Sequence, residues 1–240
     1  MKNLLRYAFL ILIIISCEET DLPGDETQSS EVSMEVLSMD NLLNILDTFS
    51  DTSLENSQFK GDLGYEINVS GTSFPITTTI DFGEGYSPYE NVTFKGIIQI
   101  VSSDYFYMPE SIQTMTFDNF LMNDALLEGT RTMTNQGYTE DSQYPTYRIV
   151  FEQGKITKSD DSPLEFTKEY NRTRIDEASW RLNTDSQWAK DEVSLKLSSQ
   201  EPLFFNKVKQ EVIMGILKIT FNDSLIMYWD FETKEFSLAL

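Results

Sequence analysis

Any chemistry in this chain has to come from carboxylates, hydroxyls, amines and aromatic rings, because its 240 residues include no histidine and a single cysteine, Cys17. Without imidazole, the commonest general base, the commonest zinc ligand and every Ser-His or Cys-His nucleophile pair are missing. Paired acids could hydrolyse a glycoside if a cleft held them at the required separation. Asp81 with Glu84, Asp160 with Asp161, and Glu165 with Glu169 are the near pairs. With 39 acids in the chain some pairs fall close by chance, so the sequence predicts a non-catalytic protein, with a carboxylate-dependent glycan enzyme as the third choice. Acidic loops offer oxygen ligands to calcium, yet no twelve-residue calcium loop or repeated Asp-x-Asp spacing is present. Asp81-Phe82-Gly83 has the letters of the kinase metal-binding triplet. None of the other kinase motifs accompanies it, so its glycines read as turn residues with positive φ and Phe82 as core. No cofactor is implied.

Rings carry the binding chemistry. Tyr105-Phe106-Tyr107-Met108 precedes Pro109, and Trp180 and Trp188 flank a polar stretch, 183–187, that reads as irregular. If exposed, Tyr105, Tyr107, Trp180 and Trp188 would stack on a sugar or anchor a protein partner. Aromatic packing along a sheet is the alternative for all four.

Cys17 has a different chemistry. Lys2 and Arg6 give a positive start, and Tyr7 to Ile15 form an apolar run too short to span a bilayer core of ~30 Å at ~1.5 Å per residue. Ile14, Ile15 and Ser16 before Cys17 resemble a lipobox, in which branched apolar residues and then a small one precede the lipidated cysteine. That resemblance implies a signal peptide over 1–16, a diacylglyceryl thioether on the Cys17 sulfur and cleavage before it. Two or more acyl chains, at ~0.8 kcal/mol per buried CH₂, give stable anchoring. A secreted chain with one thiol also has no disulfide framework. The alternative is an ordinary secretory leader followed by an unrelated cysteine.

The mature chain would carry 16 basic and 39 acidic residues, a formal charge of −23. Nucleic acid is excluded as a partner by this balance, since no cluster of Lys and Arg is visible to displace counterions from phosphates. From Glu18 to Phe59 there is no basic residue but eleven acids, which reads as a solvated, self-repelling arm. Acids directly behind the cysteine, Glu18-Glu19-Thr20-Asp21, resemble the export signal of surface-exposed Bacteroidetes lipoproteins. An outer-membrane, surface-exposed location is therefore expected, with the periplasmic face as the alternative.

Residues 17–30 are polar, include Pro23-Gly24 and read as a lipidated acidic tether. In 31–55, Val32, Val36, Met39, Leu42, Leu43, Leu46 and Phe49 recur at three- and four-residue steps, which predicts an amphipathic helix, broken near Ser38 to Asp40. Residues 56–240 alternate with period two, as in Tyr147, Ile149 and Phe151 against Arg148, Val150 and Glu152, and predict one antiparallel β-domain. Met122-Asn123-Asp124, Gln153-Gly154 and Asn222-Asp223-Ser224 are the expected hairpin turns. The fold class is thus mainly β: a single antiparallel meander sheet, half-barrel or sandwich with one N-terminal helix.

The order of segments resembles a family of uncharacterised Bacteroidetes outer-membrane lipoproteins with long antiparallel β-meanders. The resemblance rests on Asp81-Phe82-Gly83-Glu84-Gly85, Thr114 to Phe120 and Glu128 to Asn135, then on Pro145-Thr146-Tyr147, Gly154 to Thr157 and Arg172-Thr173-Arg174. It covers roughly residues 60 to 180. A second Asp-aromatic-Gly-Asp-Gly turn near the C-terminus of that family is replaced here by Asp230-Phe231-Glu232-Thr233-Lys234. The resemblance implies fold and location and no activity. Together these features predict a membrane-anchored binding or structural module with a protein or glycan partner, the alternative being a carrier that holds a hydrophobic ligand in a half-barrel under the helix.

Overall fold

The computed structural model describes residues 24–56, 64–139, 142–159 and 162–239. Cys17, its leader, most of the expected tether, Asp160 and Asp161 lie outside the described residues.

One helix, α1 (Gly24–Asn56), precedes a single antiparallel sheet of fifteen strands that is not closed into a barrel. The strands are β1 (Glu66–Ser70), β2 (Ile76–Asp81), β3 (Tyr86–Tyr89), β4 (Val92–Ser102), β5 (Ile112–Met122), β6 (Ala125–Tyr138), β7 (Pro145–Thr157), β8 (Leu164–Arg174), β9 (Ser179–Lys190), β10 (Val193–Ser199), β11 (Leu203–Asn206), β12 (Glu211–Met214), β13 (Ile216–Phe221), β14 (Leu225–Asp230) and β15 (Glu235–Leu238). From β4 to β10 each strand pairs with the next in sequence, so the body is a meander as its period-two patterning predicts. The sheet forks at two places. β2 and β3 pair with opposite halves of β4, and β10 and β11 with opposite halves of β9.

Curvature comes from a row of bulges. Register shifts fall at Lys95/Ile97, Thr116/Leu121, Glu128/Thr130 and Phe151/Gly154 on four neighbouring strands. An extra residue in one strand bends it and increases its twist, and four in line bend the whole sheet. Gly96, at φ +82°, is held to glycine because a Cβ there would overlap the Asn119 carbonyl oxygen. Gln153-Gly154 therefore lies inside β7 as a bulge, not at a hairpin turn as expected. The other two expected turns are present, and Asn123, Asp124, Asn222 and Asp223 all have positive φ, the conformation two-residue hairpins require.

The bent sheet wraps α1. Every residue from Leu42 to Ser50 is buried, polar ones included. Leu43, Leu46 and Val36 are fully inside, each burial contributing ~1.5–3 kcal/mol. On one side Phe49 meets the rings of Tyr65, Phe82, Tyr86 and Phe94. On another, the Asn41 side-chain amide donates to the Gln210 carbonyl at 3.0 Å and ties the β11–β12 hairpin to the helix. The helix runs without a break through Ser38 to Asp40 and begins at Gly24, where a tether was expected.

The polar face of α1 is buried against charge. Asp40, Asn44, Asp47 and Asp51 lie at helical steps of four, three and four and so share a face. Asp40 pairs with Lys168 at 2.8 Å, Asp47 with Arg131 at 2.5 Å and Asp51 with Arg172 at 2.5 Å, while Lys168 also donates to Asn44 Oδ1 at 3.1 Å. At the N-terminal end Glu35 takes Lys158 at 2.6 Å and Lys190 at 3.0 Å. Four of the eleven acids expected to form a solvated arm are therefore bound to the sheet. Burial pushes the Asp47 carboxyl up, outweighing the opposite pull of Arg131 and Arg172.

Candidate functional site

The candidate site is built where α1 ends. The loop joining β4 to β5 carries Tyr105, Phe106 and Tyr107, and the side-chain amide of Asn135 on β6 pins it by donating to the Phe106 carbonyl at 2.9 Å. The Glu110 amide returns a bond of 2.8 Å to the Asn135 carbonyl. Tyr105 and Tyr107 stack in parallel with ring centres 5.4 Å apart, and Tyr105 also meets the edge of Phe74. Both tyrosines are about half exposed, at 55% and 52%. These rings are held, and they face solvent.

Beside them the ends of β6, β7, β8 and β9 enclose a pocket of about 160 Å³. Tyr107, Tyr138 and Tyr144 border it, and Asp51 and Thr52 enter from α1. Arg172, Arg174 and Lys207 bring positive charge. The Arg172 guanidinium lies 4.3 Å over the Trp180 ring, the Lys207 ammonium 4.9 Å from the same ring, and Arg174 5.0 Å over Tyr144. Arg172 donates through Nη2 to Asp51. Its Nε and Nη1, and the Trp180 Nε1, are buried without a hydrogen-bond partner among the described residues. A second, more open depression on the far side of Tyr144 and Arg174 adds Arg181.

The expected aromatics separate. Tyr107 and Trp180 line the pocket and Tyr105 stacks on Tyr107, so three of the four come together. Trp180 and Trp188 are on a regular strand, β9, and not in an irregular stretch; they point inward and are 5% and 1% exposed. Trp188 stacks on Phe166 at 4.5 Å and donates to Ser186 Oγ at 2.9 Å, which makes it a satisfied core residue. As a binding platform Trp188 is therefore corrected to core, because its position in the alternation faces the helix.

Sequence reasoning missed Arg172, Arg174, Tyr138, Tyr144 and Lys207. One signal was available. On β8 the inward positions read Leu164, Phe166, Lys168, Tyr170 and Arg172, and a cation on an apolar face implies a buried acid or an anionic ligand.

None of the expected acid pairs lines this pocket among the described residues. Glu165 and Glu169 are both exposed on the outer face, and Arg148 holds Glu169 by two bonds of 2.6 and 2.9 Å, which lower its carboxyl pKa. Asp81 accepts the Gly83 amide at 2.8 Å in a turn, and Phe82 is core. No group of three or more potential metal ligands converges among the described residues. Two larger open troughs of about 690 and 880 Å³ lie on the outer face of β7 to β10. They present no exposed ring, and the cations lining them are paired, Lys155 with Glu128 at 3.4 Å, Lys196 with Asp185 at 3.8 Å and Lys168 with Asp40. No family model, curated protein or solved structure matches this chain.

Proposed function

We propose that the protein is an envelope lipoprotein, anchored through lipid on Cys17 and displayed at the surface of the outer membrane, which acts as a non-catalytic glycan-binding module through the pocket at the end of α1. The observation that carries this is polarity along the helix. Glu35 meets Lys158 and Lys190 where β7 and β9 finish, whereas Asp51 meets Arg172 near the opposite end of the sheet. Sixteen helical residues separate the two acids, about 24 Å at ~1.5 Å per residue. The described part of α1 therefore starts at one end of the trough and the ring-bordered pocket opens at the other, which supports a pocket held away from an anchored membrane.

Two features favour this reading over a hydrophobic carrier. The trough where such a carrier would hold its ligand is filled by α1, and the pocket at its end is small and sets Asp51, Arg172, Arg174 and Lys207 among its rings.

Two measurements test the proposal. Cys17→Ala is expected to leave the membrane fraction, and its retention there would refute the anchor. An array of neutral, carboxylated and sulfated glycans, probed with full-length protein and with Tyr107→Ala, is expected to show signal that depends on the tyrosine. Absence of such signal on every glycan would refute the binding role.

A further inference from the structure

We propose that the outer face of the sheet from β1 to β7 is a surface on which a second copy of this chain docks, sheet against sheet. It lies on the side away from α1 and is separate from the pocket.

Strand register lines the outward side chains into rows. Ser70, Thr77, Val101, Thr114, Thr132 and Val150 stand opposite one another across β1, β2, β4, β5, β6 and β7. Asn68, Thr79, Gln99, Thr116 and Thr130 form the next row. All of them reach solvent and none is charged, in a chain where 24% of residues are. The bulges of β4, β5 and β6 near this block fall below the two rows, so the pairing through them is unbroken. One row lower the acids begin, with Glu66, Asp81 and Asp118. Farther round the same face, β8 and β9 carry Glu165, Glu169 and Asp185 at exposed outward positions. Strand propensity favours threonine at such places, but those acids show that this sheet also accepts carboxylates there. The uncharged block is therefore a local feature, on a kind of surface that ordinarily mixes charges of both signs.

Charge identifies the occupant. A basic partner would be matched by acids and an acidic one by cations, whereas a face stripped of both suits a partner of the same strong charge. A second copy, also at −21, approaches at least electrostatic cost where neither chain presents a carboxylate. No aromatic ring stands in either row, so a sugar finds no stacking platform there. Apolar contact comes instead from Val101, 37% exposed, and its diagonal neighbour Ile112, 43% exposed, together with the threonine methyls.

Six strands at ~4.8 Å spacing and the levels from Ile112 to Thr116 at ~3.4 Å per residue give, with side-chain width included, about 500 Å² on each chain. A pair would bury about 1,000 Å², the lower end of specific interfaces, so the association is weak and reversible. A twofold axis along the strands sets the two faces together and keeps both amino-terminal ends of α1 at the same end of the pair. It also brings the two rows of Glu66, Asp81 and Asp118 to one level at the rim, where their repulsion is screened by salt.

Sedimentation equilibrium of the full-length protein in density-matched detergent tests this. The mass is expected to rise from one chain to two with concentration and to fall back on dilution. Raising the salt from about 0.05 to about 0.5 M is expected to tighten the pair several-fold, because the screened charges are alike. Thr114→Glu and Val101→Glu are each expected to weaken it at least about tenfold without moving the melting temperature, whereas Thr167→Glu on the charged part of the face leaves it unchanged. A single-chain mass at every concentration, a pair that survives both face variants, or one that salt loosens would overturn the proposal. A protein that stays single but loses its signal on a glycan array with Thr114→Glu would give this face to a glycan and overturn it equally.

Discussion

Removing Arg131 alone should be far more damaging than removing it together with Asp47. Both side chains are 1% exposed and their charges meet at 2.5 Å in the wall between α1 and β6. Arg131→Met leaves a desolvated carboxylate, and Asp47→Leu leaves a desolvated guanidinium. Breaking such a pair from one side costs ~3–5 kcal/mol, whereas replacing both partners with apolar groups of similar volume is neutral or stabilising by ~1–4 kcal/mol. For a domain of this size each kcal/mol moves the melting temperature by ~2–4 °C, so each single variant should melt about 6–20 °C below the wild type and the double variant at or above it. Urea unfolding followed by tryptophan fluorescence and far-ultraviolet circular dichroism gives all four free energies, with unchanged m values confirming comparable end states. Single variants within ~1 kcal/mol of the wild type would mean that water reaches the pair. A double variant that loses the sum of the two would mean that neither charge answers the other, and the account of how the helix is held would fail.

Two further outcomes follow from the geometry of the bend and the lower end of the helix. Gly83 and Gly96 both have positive φ, but a Cβ at Gly83 meets open space, so Gly83→Ala should cost ~1–2 kcal/mol and Gly96→Ala distinctly more, since the Asn119 backbone must move; equal costs in urea unfolding would remove the bulge from its structural role. Burial alone would raise the Glu35 pKa, but the bonds and charges of Lys158 and Lys190 together outweigh it and hold the carboxyl below its ordinary range. A depressed carboxyl contributes stability that is present above the unfolded value of ~4.3 and is lost as pH falls through the folded value, so the urea midpoint should drop more steeply below about pH 4.3 in the wild type than in Glu35→Gln. Parallel curves would show that the lysines do not hold it.

The β-meander was legible because its signal is local: alternation such as Tyr147, Ile149 and Phe151 against Arg148 and Glu152 needs no knowledge of partners. The helix was legible for the same reason, but its surroundings were not. Asp40, Asp47 and Asp51 look like a wet face to any window of sequence, since the cations that cover them are 128, 84 and 121 residues distant along the chain and arrive only when the sheet bends. Gln153-Gly154 carries turn chemistry that serves equally for a bulge, and only the register with β6 and β8 decides between them. At the pocket, Tyr105 and Tyr107 were found from their loop, whereas Trp180 and Trp188 share one parity on β9 and differ only in where along the trough each lies. One reaches the mouth and the other the floor.

A helix held inside a sheet also determines how the molecule answers a pull. Tension applied at the amino terminus enters along the axis of α1, so the load falls in shear on Glu35, Asp40, Asp47 and Asp51 together and not on one strand peeled from an edge. Extraction would require these ion pairs and the apolar stripe of the helix to slip in concert, a mode that resists tension at that terminus far better than unzipping would.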